Sequence, residues 1–319
     1  MHLTPVRIRI GVSACLLGEE VRFDGGHKRD AFLTGVLDPH VEFIPVCPEV
    51  EMGLGTPRET LRLVRRGEEV RMITTRTNID HTDAMKAWAN HRLDLLQGQD
   101  LSGYVLKKDS PSCGMARVKT YSTEEAPRRD GRGLFAAALL ERMPLLPVEE
   151  EGRLSDPVLR ENFIERVFAY RRLQDLFRSH WDADALGAFH AGHTVTLLAH
   201  SAKSARELER LVASAPAMSE TELRERYSSL FMKTLAIPAT RARHAKVLRH
   251  MAGRLQKVID GASREELAGT ILDYRHGLVP LAVPLTLIRH HVRVHRVPYL
   301  EVQTYLRPHS SELMLRNHV

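Results

Sequence analysis

The sequence has 319 residues, about twice the usual length of one domain, so we expect two domains. Hydrophobic residues make up 43% of the chain and charged residues 27%, a composition that excludes a disordered or fibrous protein. The longest unbroken apolar run, at residues 134–140, is far shorter than the ~20 residues that span a bilayer. Charges alternate with apolar residues at positions 6–10, where a signal peptide needs an apolar core. We therefore expect a cytoplasmic protein without a membrane segment.

The positive charge lies mainly in the second half of the chain. The net charge is +6 overall, of which residues 1–148 contribute +1 and the remaining residues +5. A basic half is typical of a domain that binds a polyanion such as RNA. It also serves solubility, and the charge alone does not decide between these two interpretations.

Strand-like and helix-like segments alternate along the first half. In chain order, we predict strands over residues 6–12, 41–46, 70–75 and 104–106, and helices over residues 28–37, 58–66, 80–97 and 134–142. Alternation of this kind is typical of βαβ units. The pattern predicts an α/β domain over residues 1–150, with a Rossmann-like, mainly parallel sheet.

The second half reads as helical throughout. A proline, three acids and a glycine within residues 147–153 predict an irregular linker between domains. Beyond it we predict helices over residues 162–178, 190–212, 220–235, 240–259 and 264–274. The sequence thus predicts an all-α domain over residues 151–319.

The three cysteines are Cys15, Cys47 and Cys113, and each follows a predicted strand in a loop rich in Gly, Pro or Ser. An odd number without a secretory signal argues against a disulfide framework. Because ligands bind beyond the carboxyl ends of parallel strands, the three loops can bring their thiols together. Three soft thiolates suit an iron–sulfur cluster or zinc, and buried structural thiols are a further alternative. A structural zinc would need a fourth protein ligand, whereas a cubane on three cysteines keeps one iron open as a Lewis acid.

Three separated segments make the sequence recognisable. The segments SACLLG…VRFDGG, PVCPEVEMGLGTPRE and KKDSPSCG resemble the TudS-type thiouracil desulfidase domain, over about residues 6–148. The remainder, with FHAGHTVTLLAHS, YRHGLVPL and YLEVQTYLRPHSSELMLRN, is similar to the helical domain fused to it in longer members. This architecture resembles the bacterial desulfidases that act on 4-thiouridine in tRNA. The resemblance implies a [4Fe–4S] cluster held by Cys15, Cys47 and Cys113, with one iron open to the substrate sulfur.

The resemblance also implies two catalytic residues, Glu49 and Ser110. Glu49 is the candidate base for the attacking water, although a carboxylate after a proline also suits a helix N-terminus. Ser110 is the second candidate, with a turn or cap hydroxyl as its alternative role. Lys108 and Asp109 are candidate substrate-binding residues. The alternative is that they belong to a solvated loop without a role in binding. Asp24 borders the pocket or closes an Asx turn.

Basic residues recur on one face of the predicted helix at 240–259. No acid occurs between residues 226 and 259, and the candidate RNA-binding residues are Arg243, Lys246, Arg254 and Lys257. A helix with one apolar stripe and one cationic face fits contact with phosphates, or a solvated basic face. A second acid-free stretch covers residues 274–300. His190, His193 and His200 have a spacing that can bind zinc, but packing or hydrogen bonding is the commoner role, and the sequence leaves their role open.

The leading hypothesis is therefore cluster-dependent, non-redox desulfuration of 4-thiouridine in tRNA to uridine. An alternative keeps this chemistry but uses free thiouracil or a thionucleotide as substrate, with the helical domain serving dimerisation or stability. A third possibility is a non-catalytic RNA-binding protein that carries iron–sulfur or zinc.

Overall fold

The computed structural model of the chain describes residues 8–122, 126–309, 313 and 315–317. It divides into two compact units, Met1–Ser155 and Asp156–Val319. The first unit is α/β with a parallel sheet and the second is helical, so the predicted fold class is confirmed. Within the described residues, no helix is both long and apolar enough to cross a membrane.

The described residues of the first unit form two four-stranded sheets. The strands are β1 (Ile8–Ser13), β2 (Val41–Val46), β3 (Leu61–Arg66), β4 (Glu69–Thr74), β5 (Leu101–Leu106), β6 (Val118–Tyr121), β7 (Arg128–Gly131) and β8 (Val148–Glu150). One sheet has the order β2-β1-β5-β8 and is parallel throughout. Residues 6 and 7 of the first predicted strand lie outside the described residues.

The parallel sheet forms the buried centre of the first unit. All six residues of β5 are buried, and Ile10 and Val12 of β1 have no exposed surface. Such near-continuous apolar runs are typical of strands that are covered on both faces. Gly11 lets β1 pass close to β5, because a Cβ atom there would overlap the ring of Tyr104.

The second sheet contains a strand in a segment that we predicted to be helical. Residues 58–66 were expected to be helical, but Leu61–Arg66 forms β3 and pairs with β4 in an antiparallel hairpin. Gly67 makes the turn with a φ of +62°, a conformation that favours glycine. The charged residues of this segment are compatible with either state, and the pairing across the hairpin decides the outcome.

The helices account for most of the remaining described chain. They are α1 (Pro48–Glu51), α2 (Thr82–Gln97), α3 (Leu134–Arg142), α4 (Pro157–Arg178), α5 (Ala183–His200), α6 (Ala202–Ala213), α7 (Glu220–Leu235), α8 (Arg241–Leu255), α9 (Gly261–His276), α10 (Ala282–His295) and α11 (Pro298–Glu301). The helix predicted over residues 28–37 shortens to a single π-helical segment, Phe32–Leu37.

The stretch expected to be a linker is part of the first unit. Val148–Glu150 forms β8, which pairs with β5, and Glu149, Glu150 and Glu151 are all buried. Three consecutive acids favour a loop by composition. Each of them is instead held by a cation or by backbone N–H groups, which is the condition for burying a carboxylate.

One predicted helix of the second unit is two helices in the structure. The segment predicted over residues 190–212 breaks at Ser201, whose extended backbone ends α5 and whose side chain accepts a hydrogen bond from the N–H of Ser204 at the start of α6. The apolar residues of α8, α9 and α10 share one core, which includes Leu248, Ile271 and Ile288.

A buried ionic cluster fixes the second unit around α4. Arg316 donates to Glu161 Oε1 at 2.6 Å and lies 3.4 Å from Glu165 Oε1, while His200 Nε2 lies 3.0 Å from Glu165 Oε2. Burial opposes the charge on Glu165, yet the hydrogen bond from His200 and the nearby positive charges lower its pKa to about 2. Burial likewise opposes the charge on His200, and Glu165 raises the pKa of this histidine. The cluster is therefore stable only as a set of paired charges.

We expect Arg316→Met to lower the free energy of unfolding by about 3–5 kcal/mol, because it leaves two buried carboxylates without their cation. Urea unfolding of the full chain, followed by the helical circular dichroism signal, measures this change. The matched control is Arg206→Met at an exposed site of α6, which should change stability by at most about 0.5 kcal/mol. If the two variants had equal free energies of unfolding, Arg316 would not be the cation that stabilises the two buried carboxylates.

Candidate active site

The three cysteines lie at the same edge of the parallel sheet. Cys15 follows β1 in a 3₁₀ turn (Ala14–Leu16), Cys47 directly follows β2, and Cys113 lies in the loop after β5. Because these strands are parallel neighbours, their carboxyl ends meet at one edge. The fold thus brings together three residues that are far apart in the sequence.

All three thiols line one cavity of about 340 Å³, together with Glu49 and Ser110. Burial raises the pKa of Cys15 to about 11, and a negative charge on Cys47 raises it further, although Lys107 acts in the opposite direction. Burial also raises the pKa of Cys47 and that of Cys113. Three thiolates can share this cavity only with a positively charged group among them.

Glu49 is held in place by two side chains that we did not single out from the sequence. Arg58 donates to Glu49 Oε2 from Nε at 2.8 Å and from Nη2 at 2.6 Å, and the hydroxyl of Ser112 donates to Oε1. The side chain of Arg58 is only 7% exposed, and its Nη1 also donates to the Val21 carbonyl. The carboxylate is therefore fixed in the wall of the cavity that the thiols line. Arg58 occurs in the segment GTPRE, which was quoted for the resemblance and is the one sequence signal for this role.

The Cys113 loop is fixed by bonds from several directions. Ser110 Oγ accepts hydrogen bonds from the N–H groups of Ser112 and Cys113 at 3.2 and 3.1 Å, which is the turn role considered for it. Both bonds use the hydroxyl oxygen as acceptor, so the hydroxyl proton stays available for donation. Glu150 Oε1 accepts from the N–H of Met115 at 2.7 Å, and Glu151 Oε2 accepts from the N–H of Lys108 at 2.7 Å.

The residues proposed for substrate binding divide into two groups. Lys108 and Asp109 line the cavity, and Asp109 pairs with Arg129 at 2.8 Å. Asp24 is not among the lining residues, and its carboxylate accepts from the Gly26 N–H at 3.2 Å, which closes the Asx turn. This bond lowers the pKa of Asp24. The geometry therefore favours the turn role for Asp24.

The residues proposed for RNA binding are all exposed: Arg243, Lys246 and Arg254 lie on α8, and Lys257 lies in the turn after it. Two of them also serve the fold: Arg243 donates to the His200 carbonyl at 2.8 Å, and the Arg254 guanidinium lies 4.7 Å from the centre of the Tyr299 ring. Lys246 and Lys257 are exposed as expected. The face is cationic, but only part of its charge is free of internal contacts.

The three histidines of α5 have separate hydrogen-bond partners. His190 contacts the Tyr227 hydroxyl at 3.2 Å, and His193 Nδ1 donates to the backbone carbonyl of Phe189 at 2.8 Å. His200 belongs to the ionic cluster described above. Burial lowers the pKa of His193 to about 4, so this ring is neutral at pH 7. These contacts are those of packed helix residues.

Comparison with known proteins follows the division into two units. A family model described as 2-thiouracil desulfurase matches residues 10–151. YbbK of Bacillus subtilis strain 168, an uncharacterized protein, is 31% identical over 133 residues, which are 40% of this chain and 87% of YbbK. The chain belongs to the 2-thiouracil desulfurase family.

Further similarities concern both halves of this desulfurase-family chain. A family model of unknown function, DUF1722, matches residues 195–310. YbgA of Escherichia coli strain K12, also uncharacterized, is 29% identical over 153 residues, which are 48% of this chain and 90% of YbgA. A solved [4Fe–4S]-dependent thiouracil desulfidase, TudS, is 34% identical, with 47% of this chain and 94% of that chain covered and a TM-score of 0.39.

We expect Gly133→Ala to loosen the Cys113 loop, because the new Cβ would overlap the Ser112 carbonyl and lie 2.8 Å from the Cys113 nitrogen. In protein prepared without metal, iodoacetamide should then alkylate Cys113 faster than in the parent, as measured by peptide mass spectrometry. Gly35→Ala is the matched control, since a Cβ there meets no atom within 4 Å. If Cys113 were alkylated at the same rate in Gly133→Ala as in the parent, Gly133 would not be needed to hold the Cys113 loop in place.

Proposed function

We propose that this chain hydrolyses 4-thiouridine in tRNA to uridine, with a [4Fe–4S] cluster held by Cys15, Cys47 and Cys113. The observation that carries the proposal is that three thiols, a carboxylate and a hydroxyl line one cavity at the edge of the sheet. Membership of the 2-thiouracil desulfurase family supports the removal of sulfur from a thiolated pyrimidine. Because tRNA is the substrate, we place the reaction in the cytoplasm.

The cavity suits an iron–sulfur cluster by the chemistry of its donors. The thiols of Cys15 and Cys113 are buried and that of Cys47 is partly buried, so all three would be thiolates only beside a positively charged group that accepts soft ligands. Among the described residues, no three His, Cys, Asp or Glu side chains are arranged to hold a single metal ion. Cys15, Cys47 and Cys113 would instead hold a [4Fe–4S] cluster, whose iron without a protein ligand would be open to the substrate. When bound, it supplies a Lewis acid with affinity for a thiocarbonyl sulfur.

The reaction consumes one water and releases one hydrogen sulfide, so it needs no oxidant or reductant. Water attacks carbon 4 of the base, the carbon–sulfur bond breaks, and a carbonyl oxygen replaces the sulfur. We assign Glu49 as the base that accepts a proton from this water. Arg58 and Ser112 are positioning residues, because they keep the Glu49 carboxylate at the cavity wall.

Three further residues line the cavity and contact the substrate in this proposal. Ser110 lies in the cavity wall, and its hydroxyl proton is free to donate a hydrogen bond to the substrate pyrimidine as negative charge develops on that ring. Lys108 is exposed and also lines the cavity, which suits contact with a nucleotide phosphate. Asp109 adds to the same wall, where Arg129 holds its carboxylate.

The choice of tRNA is supported by the second unit. Its excess of positive charge and the exposed basic residues of α8 suit the backbone of a folded RNA. A base inside a folded RNA must leave its stack to reach a cavity of this kind. The helical unit would then bind the RNA while the first unit acts on the extruded base.

Free thiouracil is the second candidate substrate, and the description of the family favours it. We expect the anaerobically purified parent to desulfurate tRNA that contains 4-thiouridine with a higher kcat/KM than free 4-thiouracil. Loss of absorbance of the thiocarbonyl group and released sulfide measure both reactions. A higher kcat/KM for the free base would favour the second candidate. Turnover of neither substrate by a protein that binds RNA and holds its cluster would favour a non-catalytic role.

We expect Glu49→Gln to retain about four irons and four sulfides per chain and to lose turnover by about 10²–10⁴-fold, because the base is removed and the ligands remain. Cys113→Ala should lose both the iron and the activity. The matched control is Glu141→Gln, an exposed position on α3 that should change neither. Glu49→Gln with the turnover of the parent would remove Glu49 from the mechanism.

A further inference from the structure

The helical unit contains a second basic feature, beside α10 rather than on α8. A cavity of about 410 Å³ lies between α10 and the segment after α11. Its described lining residues include one acid, Glu301, and four arginines, which are Arg289, Arg293, Arg296 and Arg307. We refer to this cavity with its four arginines as the arginine cleft.

The arginine cleft follows from the spacing of residues on α10. Arg289 and Arg293 are four residues apart on one face near the C-terminal end of α10, and Arg296, directly after the helix, lines the same cavity. Arg307 contributes from the segment after α11. Arg296 directly follows α10 with a φ of +51°, so an arginine occupies the position after a helix where glycine is common.

The charges of the arginine cleft are poorly neutralised. Arg296 lies 3.8 Å from Glu301, and Arg289 donates to the Thr286 hydroxyl at 3.1 Å. Within the described part of the chain, Arg293 and Arg307 meet no acid. Burial lowers the pKa of Arg289, and the charges of Arg316 and Arg307 lower it further. Like charges gathered in this way favour the binding of an anion.

The wall of the arginine cleft is fixed before any ligand binds. The buried amide of Gln303 donates to the carbonyls of Ala191 and Tyr299 at 2.9 and 3.1 Å and accepts from the N–H of Val195 at 3.1 Å. Thr304 donates to the Gly192 carbonyl at 3.1 Å. These bonds tie the segment before Arg307 to α5. A preformed site binds its ligand without the cost of ordering a loop.

We propose that the arginine cleft binds backbone phosphates of the substrate RNA; the choice of tRNA rests on the proposed function. Guanidinium groups bind phosphate through two parallel hydrogen bonds, and a lone phosphate would leave much of the cavity empty. A second cavity of about 320 Å³ shares Arg289 and Arg307 and extends the cationic surface. By comparison, Arg243 and Arg254 of α8 are engaged in internal contacts.

The test is the affinity for unmodified tRNA, because a tRNA without 4-thiouridine reports binding independently of the chemistry. We expect Arg293→Gln combined with Arg307→Gln to weaken binding by the cluster-loaded protein about tenfold at physiological salt. The slope of log Kd against log salt concentration should fall by about one to two, as expected when two phosphate contacts are lost. Fluorescence anisotropy with labelled tRNA measures both quantities.

Two further variants make the result specific. Arg206→Gln combined with Arg210→Gln removes the same charge from exposed positions of α6 and should leave both the affinity and the slope unchanged. Arg293→Lys combined with Arg307→Lys keeps the charge but not the paired hydrogen bonds, so it should restore the salt slope and only part of the affinity. Desulfuration of free 4-thiouracil, where the parent shows it, should be unchanged in all three double variants.

The proposal and the proposed function can fail separately. Equal tRNA affinity of the cleft variant and the α6 variant overturns the arginine cleft as the phosphate site, whatever the parent does to thiouridine. Binding of polyglutamate as tightly as tRNA overturns the assignment to RNA in favour of an acidic protein partner. A tRNA affinity that depends on the cleft, in a parent that turns over only free thiouracil, supports the cleft and contradicts the proposed substrate.

Discussion

Parallel pairing of β1 with β2 and with β5 is the constraint on which the candidate site depends. The register sets Ser13 beside Val46 and Val12 beside Val105, so these strands end at one edge of the sheet. Cys15 and Cys47 follow directly, and the loop after β5 brings Cys113 to the same cavity. A shift of register would separate the thiols and move core side chains to the other face. The buried core of β5 therefore also holds the site together.

Pairing of buried carboxylates positions the remaining parts of the site, which are Glu49 and the Cys113 loop. Buried carboxylates are stable only with partners, and in this protein the partners are the groups that define the site. Arg58 holds Glu49, and the backbone of the Cys113 loop occupies the carboxylates of Glu150 and Glu151. The second unit uses the same principle, since Arg316 and His200 hold the buried carboxylates of Glu161 and Glu165.

Much of this arrangement could be predicted from the sequence, and the remainder depends on long-range pairing. The periodic helices 134–142 and 220–235 and the strand 41–46 were predicted with the bounds observed, because local pattern and tertiary burial agree there. The strand Leu61–Arg66 was missed because its partner strand, rather than its own pattern, decides its state. The acids at 149–151 suggested a linker because a local pattern does not show their partners, which lie near positions 107 and 115. The thiols were recognisable from their loops, whereas Arg58 and the cleft arginines acquire their roles only from the fold.

The position of β8 at the end of the first unit bears on how the protein is made. The carboxylates that hold the Cys113 loop belong to residues 150 and 151, and the first unit ends at Ser155. A ribosome delivers the three cysteines well before it delivers those carboxylates. The loop around the third thiol therefore reaches its final conformation only after the whole first unit has emerged. Incorporation of a cofactor into this cavity would accordingly follow synthesis of the first unit and can precede synthesis of the second.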